Sequence, residues 1–256
     1  YPKKRPTTKK EVTTLWIFFL LGEIMNEKHQ VRTAILVDGG FYRKRATSLF
    51  GKKSPVERAE ELSQYCYAHL RDKYESRYLY RIFYYDCPPV DKNAFHPLLQ
   101  KNINLGKRPE YDWTNDFFNE LKHHRKFALR MGRISESQIY YNLKYETTKK
   151  LLNGSMTIVD LSENDFEINL EQKGVDMKIG VDISSLAFKQ QVNQIILISG
   201  DSDFVPAAKQ ARREGIDFIL DPMGATIKDD LYEHIDGIRS QYKNFIPKES
   251  ADMISP

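Results

Sequence analysis

Cysteine is scarce in this sequence, with only Cys66 and Cys87 among 256 residues. The two do not form a Cys-x-x-Cys pair, so the pattern argues against a disulfide framework and against a thiolate metal site. Unpaired cysteines are typical of proteins in a reducing compartment. We therefore expect a cytoplasmic protein.

Long hydrophobic runs are also missing. The apolar segment 15–22 follows a basic stretch, as in a signal peptide, but it is too short to span a bilayer and no small-x-small cleavage site follows it. We expect Met25 to be the working start and residues 1–24 not to be native, with a short membrane-targeting segment as the alternative. Stable membrane insertion is not expected.

A strong excess of charge of either sign is absent as well. The formal net charge is +4, and residues 1–24 hold five bases and two acids, which leaves +1 for the rest of the chain. Overall charge is therefore weak evidence for a nucleic-acid partner, and only local patches can support one. The chain has 41% hydrophobic residues and no internal repeat, which is enough for one sizeable core.

What the sequence does contain is a series of short apolar runs that end in polar loops. Such runs are typical of buried strands in a parallel sheet. The predicted strands are 33–37, 77–85, 195–199 and 216–220.

Helical patterns separate these runs. Ser54 and Glu57 form a capping box around Pro55 and predict the start of one helix. The other predicted helices cover about 115–126, 173–191, 204–214 and 226–235. Strands that alternate with helices indicate an α/β fold with a parallel sheet covered on both faces.

The domain organisation follows from the same pattern. Residues 127–172 have a different sequence pattern, in which short segments typical of β-strands alternate with polar residues. We expect a strand-rich insertion there. The predicted division is an N-terminal extension over 1–30, one domain over 31–240 and a tail over 241–256.

Acidic residues follow two of the apolar runs. Asp38 ends the first, and Asp201 and Asp203 follow the third, while Asp176 opens the helix that leads to the third. Carboxyl ends of parallel strands share one edge of a sheet, so these four carboxylates can converge. Close carboxylates repel unless one takes a proton or a cation neutralises them, and an all-oxygen set favours Mg²⁺ or Mn²⁺.

A simpler interpretation exists for each acid alone. An Asp after a strand is commonly a turn former or a helix cap, and Asp203 can cap a helix that starts near Phe204. Ser199 and Ser202 are candidates to support the site through hydrogen bonds. Asp182 lies about 120° around the helix from Asp176, so we rank it as a second-tier candidate that either holds a base or supports the metal ligands from behind.

At this point the residues resemble a known family. The stretches ILVDGGFY, KGVDMKIGVD and ILISGDSDFVPAAKQARREG, in this order, are similar to the three signatures of the NYN domain, in the LabA-like branch of the PIN-like nuclease superfamily. The resemblance covers residues 33–238. It implies a three-layer α/β sandwich around a mainly parallel sheet and a metal-dependent endoribonuclease.

The resemblance also implies a site. Asp38, Asp176, Asp201 and Asp203 match the acids that bind Mg²⁺ or Mn²⁺ in the family, where the metal activates water to attack an RNA phosphodiester without a general-base histidine. One departure is Gly40, where many relatives carry Asn. The missing side chain affects the polar lining of the site and leaves the carboxylate set complete.

Local basic patches offer a path for RNA. We predict contacts to the phosphate backbone from bases that flank the three signatures, and these are Arg43, Lys44, Arg45, Lys173 and Arg212. A second basic cluster spans 122–133. Phe41 and Tyr42 are candidates to stack an unpaired base. His123 and His124 are poor metal ligands because adjacent helix residues point apart.

Several functions remain open from the sequence. The leading one is a metal-dependent nuclease that acts on single-stranded RNA, and it allows a homo-oligomer. The alternative is a catalytically silent RNA- or nucleotide-binding module, and a DNA substrate is also open. Phosphoryl transfer to an aspartate is disfavoured, because it usually needs Asp-x-Asp and this chain has Gly40 where the second Asp would stand.

Overall fold

The computed structural model describes residues 30–73, 75–135 and 139–245. The expectations for Met25, for residues 1–24 and for the end of the tail from 246 onward lie outside the described residues. Within the described ranges, no helix is both long and apolar enough to cross a membrane.

The described chain alternates strands and helices. The strands are, in order, β1 (Gln30–Asp38), β2 (Ser76–Asp86), β3 (Asn93–His96), β4 (Lys101–Asn104), β5 (Phe127–Met131), β6 (Arg133–Ile134), β7 (Tyr140–Leu143), β8 (Phe166–Asn169), β9 (Gln172–Lys173), β10 (Gln194–Ile198), β11 (Asp217–Asp221) and β12 (Gly237–Ile238). The helices are α1 (Gly39–Phe50), α2 (Pro55–Ala68), α3 (Pro109–His123), α4 (Tyr145–Leu152), α5 (Val175–Phe188), α6 (Val205–Arg213) and α7 (Asp229–Tyr232).

Six parallel strands form the central sheet, in the order β12-β11-β10-β1-β2-β5. The chain builds one half outward from β1 through β2 to β5, and then returns to the other side of β1 with β10. The strand order therefore reverses between β1 and β10. In open parallel sheets, the crevice at the carboxyl ends of such strands is the usual ligand site.

Alternate residues of β1 explain the two layers of helices. Ala34 and Leu36 pack on one face with α5 and α6, and Ile35 and Val37 pack on the other with α1, α2 and α3. These four side chains are fully buried, and each such burial contributes about 1.5–3 kcal/mol for a large apolar residue. The predicted α/β three-layer sandwich with a mainly parallel sheet is confirmed.

Local signals set the helix ends as predicted in two places. Ser54 accepts a hydrogen bond from the Glu57 backbone N–H, and the Glu57 carboxylate accepts one from the Ser54 backbone N–H, with Pro55 at the first helical position of α2. Gly215 follows α6 with a φ of +80°, which is the left-handed conformation that glycine adopts most easily.

The region predicted as a strand-rich insertion is divided in the structure. Its first strand, β5, belongs to the central sheet beside β2. The rest forms two small antiparallel pairs, β6 with β9 and β7 with β8, together with α4. The final predicted helix, 226–235, is reduced to Asp229–Tyr232, because the Asp236 carboxylate accepts a hydrogen bond from the Phe218 backbone N–H and draws the chain back to the sheet.

The start of the predicted tail is packed rather than free. Phe245 lies against Phe50 and Tyr65, with ring centroids 6.3 Å and 5.2 Å away. The division of the chain into extension, domain and tail otherwise stays a prediction.

Candidate active site

Asp38 is the last residue of β1 and the N-cap of α1. Its carboxylate accepts hydrogen bonds from the Phe41 backbone N–H at 3.1 Å and from the Ser199 hydroxyl at 3.2 Å. Burial raises the pKa of Asp38, and the charges of Asp176 and Asp86 add to this rise, while the two hydrogen bonds oppose it. The group is therefore held in place and ionises reluctantly.

Ser199 connects the ends of two neighbouring strands. It is fully buried directly after β10, and its hydroxyl donates to Asp38 while accepting from the Asp201 backbone N–H at 3.3 Å. The Asp201 carboxylate in turn accepts from the Asp203 backbone N–H at 3.0 Å and caps the short 3₁₀ turn that follows. Asp201 and Asp203 are both exposed at the surface of the loop.

Asp176 reaches the same edge from a helix. It lies in the first turn of α5, which begins after Gly174, a residue with a φ of +81°. Partial burial raises the pKa of Asp176, and the charges of Asp201 and Asp203 raise it further. The structure thus brings the start of α5 close to the loop after β10, as the crossover argument predicts.

We call Asp38, Asp176, Asp201 and Asp203 the acid cluster. Asp38 interacts electrostatically with Asp176, and Asp176 with both acids of the loop. Among the described residues, none of the four carboxylates forms an ion pair with a base. The cluster therefore carries negative charge that a cation would neutralise.

The donor set fits a hard divalent cation in chemistry. In the part of the chain that the structure describes, no three His, Cys, Asp or Glu side chains are placed so that they could hold one ion between them. A site built from three or four such side chains, as catalytic and structural zinc sites are, is therefore absent from those residues. Mg²⁺ differs, because it commonly keeps several waters and binds through one or two carboxylates together with substrate phosphate.

The supporting residues have clear partners. Asp182 is buried, and its carboxylate accepts hydrogen bonds from the Tyr85 hydroxyl and the Arg130 guanidinium, each at 2.8 Å. It fastens α5 to the sheet and holds a base. Ser202 accepts a hydrogen bond from the Lys228 ammonium at 3.1 Å.

The basic residues that follow Asp38 differ in what they contact. The Arg43 guanidinium pairs with Asp86 at 3.0 Å, and Arg45 donates to the Met223 carbonyl at 2.7 Å. Lys44 is exposed. Of these three predicted RNA contacts, Lys44 is the one whose side chain is most open to solvent.

The remaining predicted contacts lie in two different places. Lys173 pairs with Glu171 at 3.2 Å and lies three residues before Asp176, at the acid edge. Arg212 is at the far end of α6 and pairs with Asp236, whose carboxylate binds the amino end of β11. Arg212 is therefore at the opposite edge of the sheet from the acid cluster. Most of the second basic cluster, 122–126, also lies there, before β5.

Phe41 and Tyr42 do not serve as a stacking pair. Tyr42 is fully buried, and its hydroxyl donates to Glu61 at 2.9 Å. The Phe41 ring supports the loop after β10, since a Cβ on Gly200 would lie 2.9 Å from it. Glycine at 200 therefore allows the loop to rest on this ring.

Two residues near the acid cluster were not among the site residues predicted from the sequence. Asp86 ends β2 beside Asp38, is almost fully buried and accepts hydrogen bonds from Tyr84 and Arg43. An acid after an apolar run is the signal for it, although its pairing with Arg43 has no local signal. Lys228 reaches Ser202 from a separate loop, and nothing in the sequence predicts this contact.

The family model of the NYN domain matches residues 100–231, which is just over half of the chain, and the protein belongs to this family. The NYN domain is part of the PIN-like nuclease superfamily. The match includes Asp176, Asp201 and Asp203, while Asp38 lies outside it.

A crystal structure of a protein of unknown function from Vibrio parahaemolyticus shares 13% identity with this chain, covers 87% of it and 99% of its own length, and has a TM-score of 0.47. No curated protein sequence matches the chain significantly.

Proposed function

We propose that the protein is a metal-dependent endoribonuclease of the LabA-like branch, which hydrolyses single-stranded RNA at the acid cluster. The observation that supports this best is that Asp38, Asp176 and the loop acids lie within electrostatic reach of one another at the strand-order reversal, with no ion pair to a base among the described residues. Membership of the NYN family agrees with such an activity.

Each residue of the site has a separate role in this proposal. One or two carboxylates of the acid cluster, drawn from Asp38, Asp176, Asp201 and Asp203, would hold Mg²⁺ or Mn²⁺ together with water and the substrate phosphate. The bound cation would supply charge neutralisation at the phosphate and a water of lowered pKa. Ser199 keeps the Asp38 carboxylate oriented through its hydrogen bond. Lys228, which lies against the loop that carries Asp201, offers a positive charge for the RNA backbone.

A cytoplasmic location and a domain over 31–240 are part of the same proposal. The two cysteines are free and buried, which suits a reducing compartment. The segment between β5 and α5 would be an accessory to the nuclease domain, and a homo-oligomer is compatible with it.

A catalytically silent RNA-binding module is the second candidate. Asp38 caps α1 and Asp201 caps a 3₁₀ turn, so two of the four acids have structural roles that need no metal. Calorimetric titration with Mn²⁺ separates the candidates, because a silent module has no reason to bind the ion at the acid cluster.

The activity itself is tested with purified protein and a labelled single-stranded RNA in the presence of Mg²⁺ or Mn²⁺. Wild type should cleave internally, and Asp201→Asn should lose at least about a hundredfold in rate, as for removal of one electrostatic contributor. Asp116→Asn, an exposed acid on α3, is the matched control and should cleave like wild type. Equal cleavage by Asp201→Asn and wild type would place the activity elsewhere.

A further inference from the structure

A cavity of about 300 Å³ lies beside the acid cluster, between the central sheet and the segment that follows β5. The loop after β2 and the first turns of α3 form one side. The other side is formed by side chains of the segment between β5 and α5, which are Ile134, Ile168, Leu170 and Gln172. This segment therefore closes a space that the sheet and α3 leave open.

None of the four acids lines the cavity, but two lining residues, Arg43 and Cys87, connect it to the acid cluster. Arg43 lines the cavity and pairs with Asp86, whose charge acts on Asp38. Cys87 lines it from the next position, and the charge of Asp176 reaches its thiol. A molecule in the cavity would thus be separated from the acid cluster only by the side chains of Arg43, Asp86 and Cys87.

The walls suit a flat, partly polar ring. Pro88, Pro89 and Tyr111 offer apolar faces, and the aliphatic residues of the opposite side face them. Polar side chains also line the cavity, among them Arg43, Thr114 and Gln172. Arg108 and Glu110 also line the cavity and pair with each other at 3.6 Å.

The size of the cavity is sufficient for a nucleobase. A space of about 300 Å³ equals about ten water volumes, which is ample for one base. Bases of single-stranded RNA are commonly read in such pockets by stacking and by hydrogen bonds to their edges.

We propose that this cavity, the base pocket, binds one unpaired nucleobase of the RNA whose neighbouring phosphate lies at the acid cluster. The proposal rests on the proposed nuclease function and gives the segment between β5 and α5 a role in choosing the nucleotide at the cleavage position.

An abasic scan tests the base pocket without any need for cleavage. Binding of a short, fluorescently labelled single-stranded RNA is measured on the Asp201→Asn protein, with the base removed at one position at a time. One position should lose about tenfold in affinity, as expected for a stacked base, and the others should change much less.

Two pocket variants and one control complete the experiment. Leu170→Trp fills the cavity from a residue between β8 and β9, and Tyr111→Ala removes a wall. In both, the affinity should become equal for the intact and abasic RNAs. Leu152→Trp, an exposed position at the end of α4, should keep the abasic penalty. Thermal melts verify that each variant is folded.

The outcomes separate the two proposals. An abasic penalty that persists in both folded pocket variants, or is absent from the Asp201→Asn protein, overturns the base pocket even if wild type cleaves RNA. A penalty that both variants abolish supports the base pocket even if no cleavage is found, and then the nuclease function alone fails. Absence of any RNA binding would overturn both.

Discussion

Replacement of Arg43 by Met should lower the free energy of unfolding, whatever its effect on RNA binding. The Arg43 guanidinium is 28% exposed, and the Asp86 side chain that it pairs with is 0% exposed. Removing one partner of a fully buried ion pair costs about 3–5 kcal/mol. Asp86 keeps hydrogen bonds from the Tyr84 hydroxyl and the Cys87 backbone N–H, and Arg43 is partly solvated. We therefore expect a loss of about 2–3 kcal/mol in the free energy of unfolding.

This loss is a large part of the stability of a typical domain, which is about 5–15 kcal/mol. It should lower the melting temperature by about 4–12 °C, at about 2–4 °C per kcal/mol for a domain of this size. Urea unfolding followed by circular dichroism at neutral pH measures it. Lys44→Met removes the same charge from the exposed neighbour and should change the free energy of unfolding by less than about 0.5 kcal/mol.

A double-mutant cycle identifies the cause. Asp86→Asn leaves no buried charge, so Arg43→Met should cost about 1–2 kcal/mol less in that background. A free energy of unfolding for Arg43→Met within about 0.5 kcal/mol of wild type, or additive effects in the cycle, would refute the reasoning. RNA affinities of Arg43 variants should accordingly be interpreted only beside their stabilities.

Two further predictions concern charge at the site. The pKa of Asp38 is raised in the folded state above its ordinary value of 3.8. Ionisation of Asp38 therefore lowers the free energy of unfolding as the pH rises above 3.8. Asp38→Asn removes this cost, so the variant should have a higher melting temperature than wild type at pH 7 but not at pH 3. Saturating Mn²⁺ should make wild type the protein with the higher melting temperature at pH 7. A wild type that melts higher than Asp38→Asn at pH 7 without metal would contradict the prediction. Lys228→Ala should weaken RNA binding for all sequences, and the slope of log affinity against log salt concentration should decrease by about one. An unchanged slope would exclude a contact between Lys228 and a phosphate.

Much of the fold could be predicted because its signals are local. The apolar runs at β1 and β10 are continuous, and the capping box at Ser54 and Glu57 fixes the start of α2 without help from distant residues. Helix α1 was not predicted, since two glycines and a basic stretch hide the spacing of its buried residues, Tyr42, Ala46 and Phe50.

The site divides in the same way. The acids could be predicted to converge because parallel strands place their ends at one edge, and Asp176 follows from the direction of its helix. The contacts that complete the site join residues far apart in sequence, such as Arg43 with Asp86 and Lys228 with Ser202. Only the packed molecule determines such pairs, so no local pattern reveals them.

The pairing of β6 with β9 has an evolutionary consequence. Arg133 lies opposite Lys173, so the segment between them leaves and rejoins the rest of the domain at nearly one point. Because its ends are already joined, lengthening it carries only a small loop-closure entropy. Such a stem allows the segment to be exchanged between relatives as a cassette, and new specificities can arise without any change to the strands beneath.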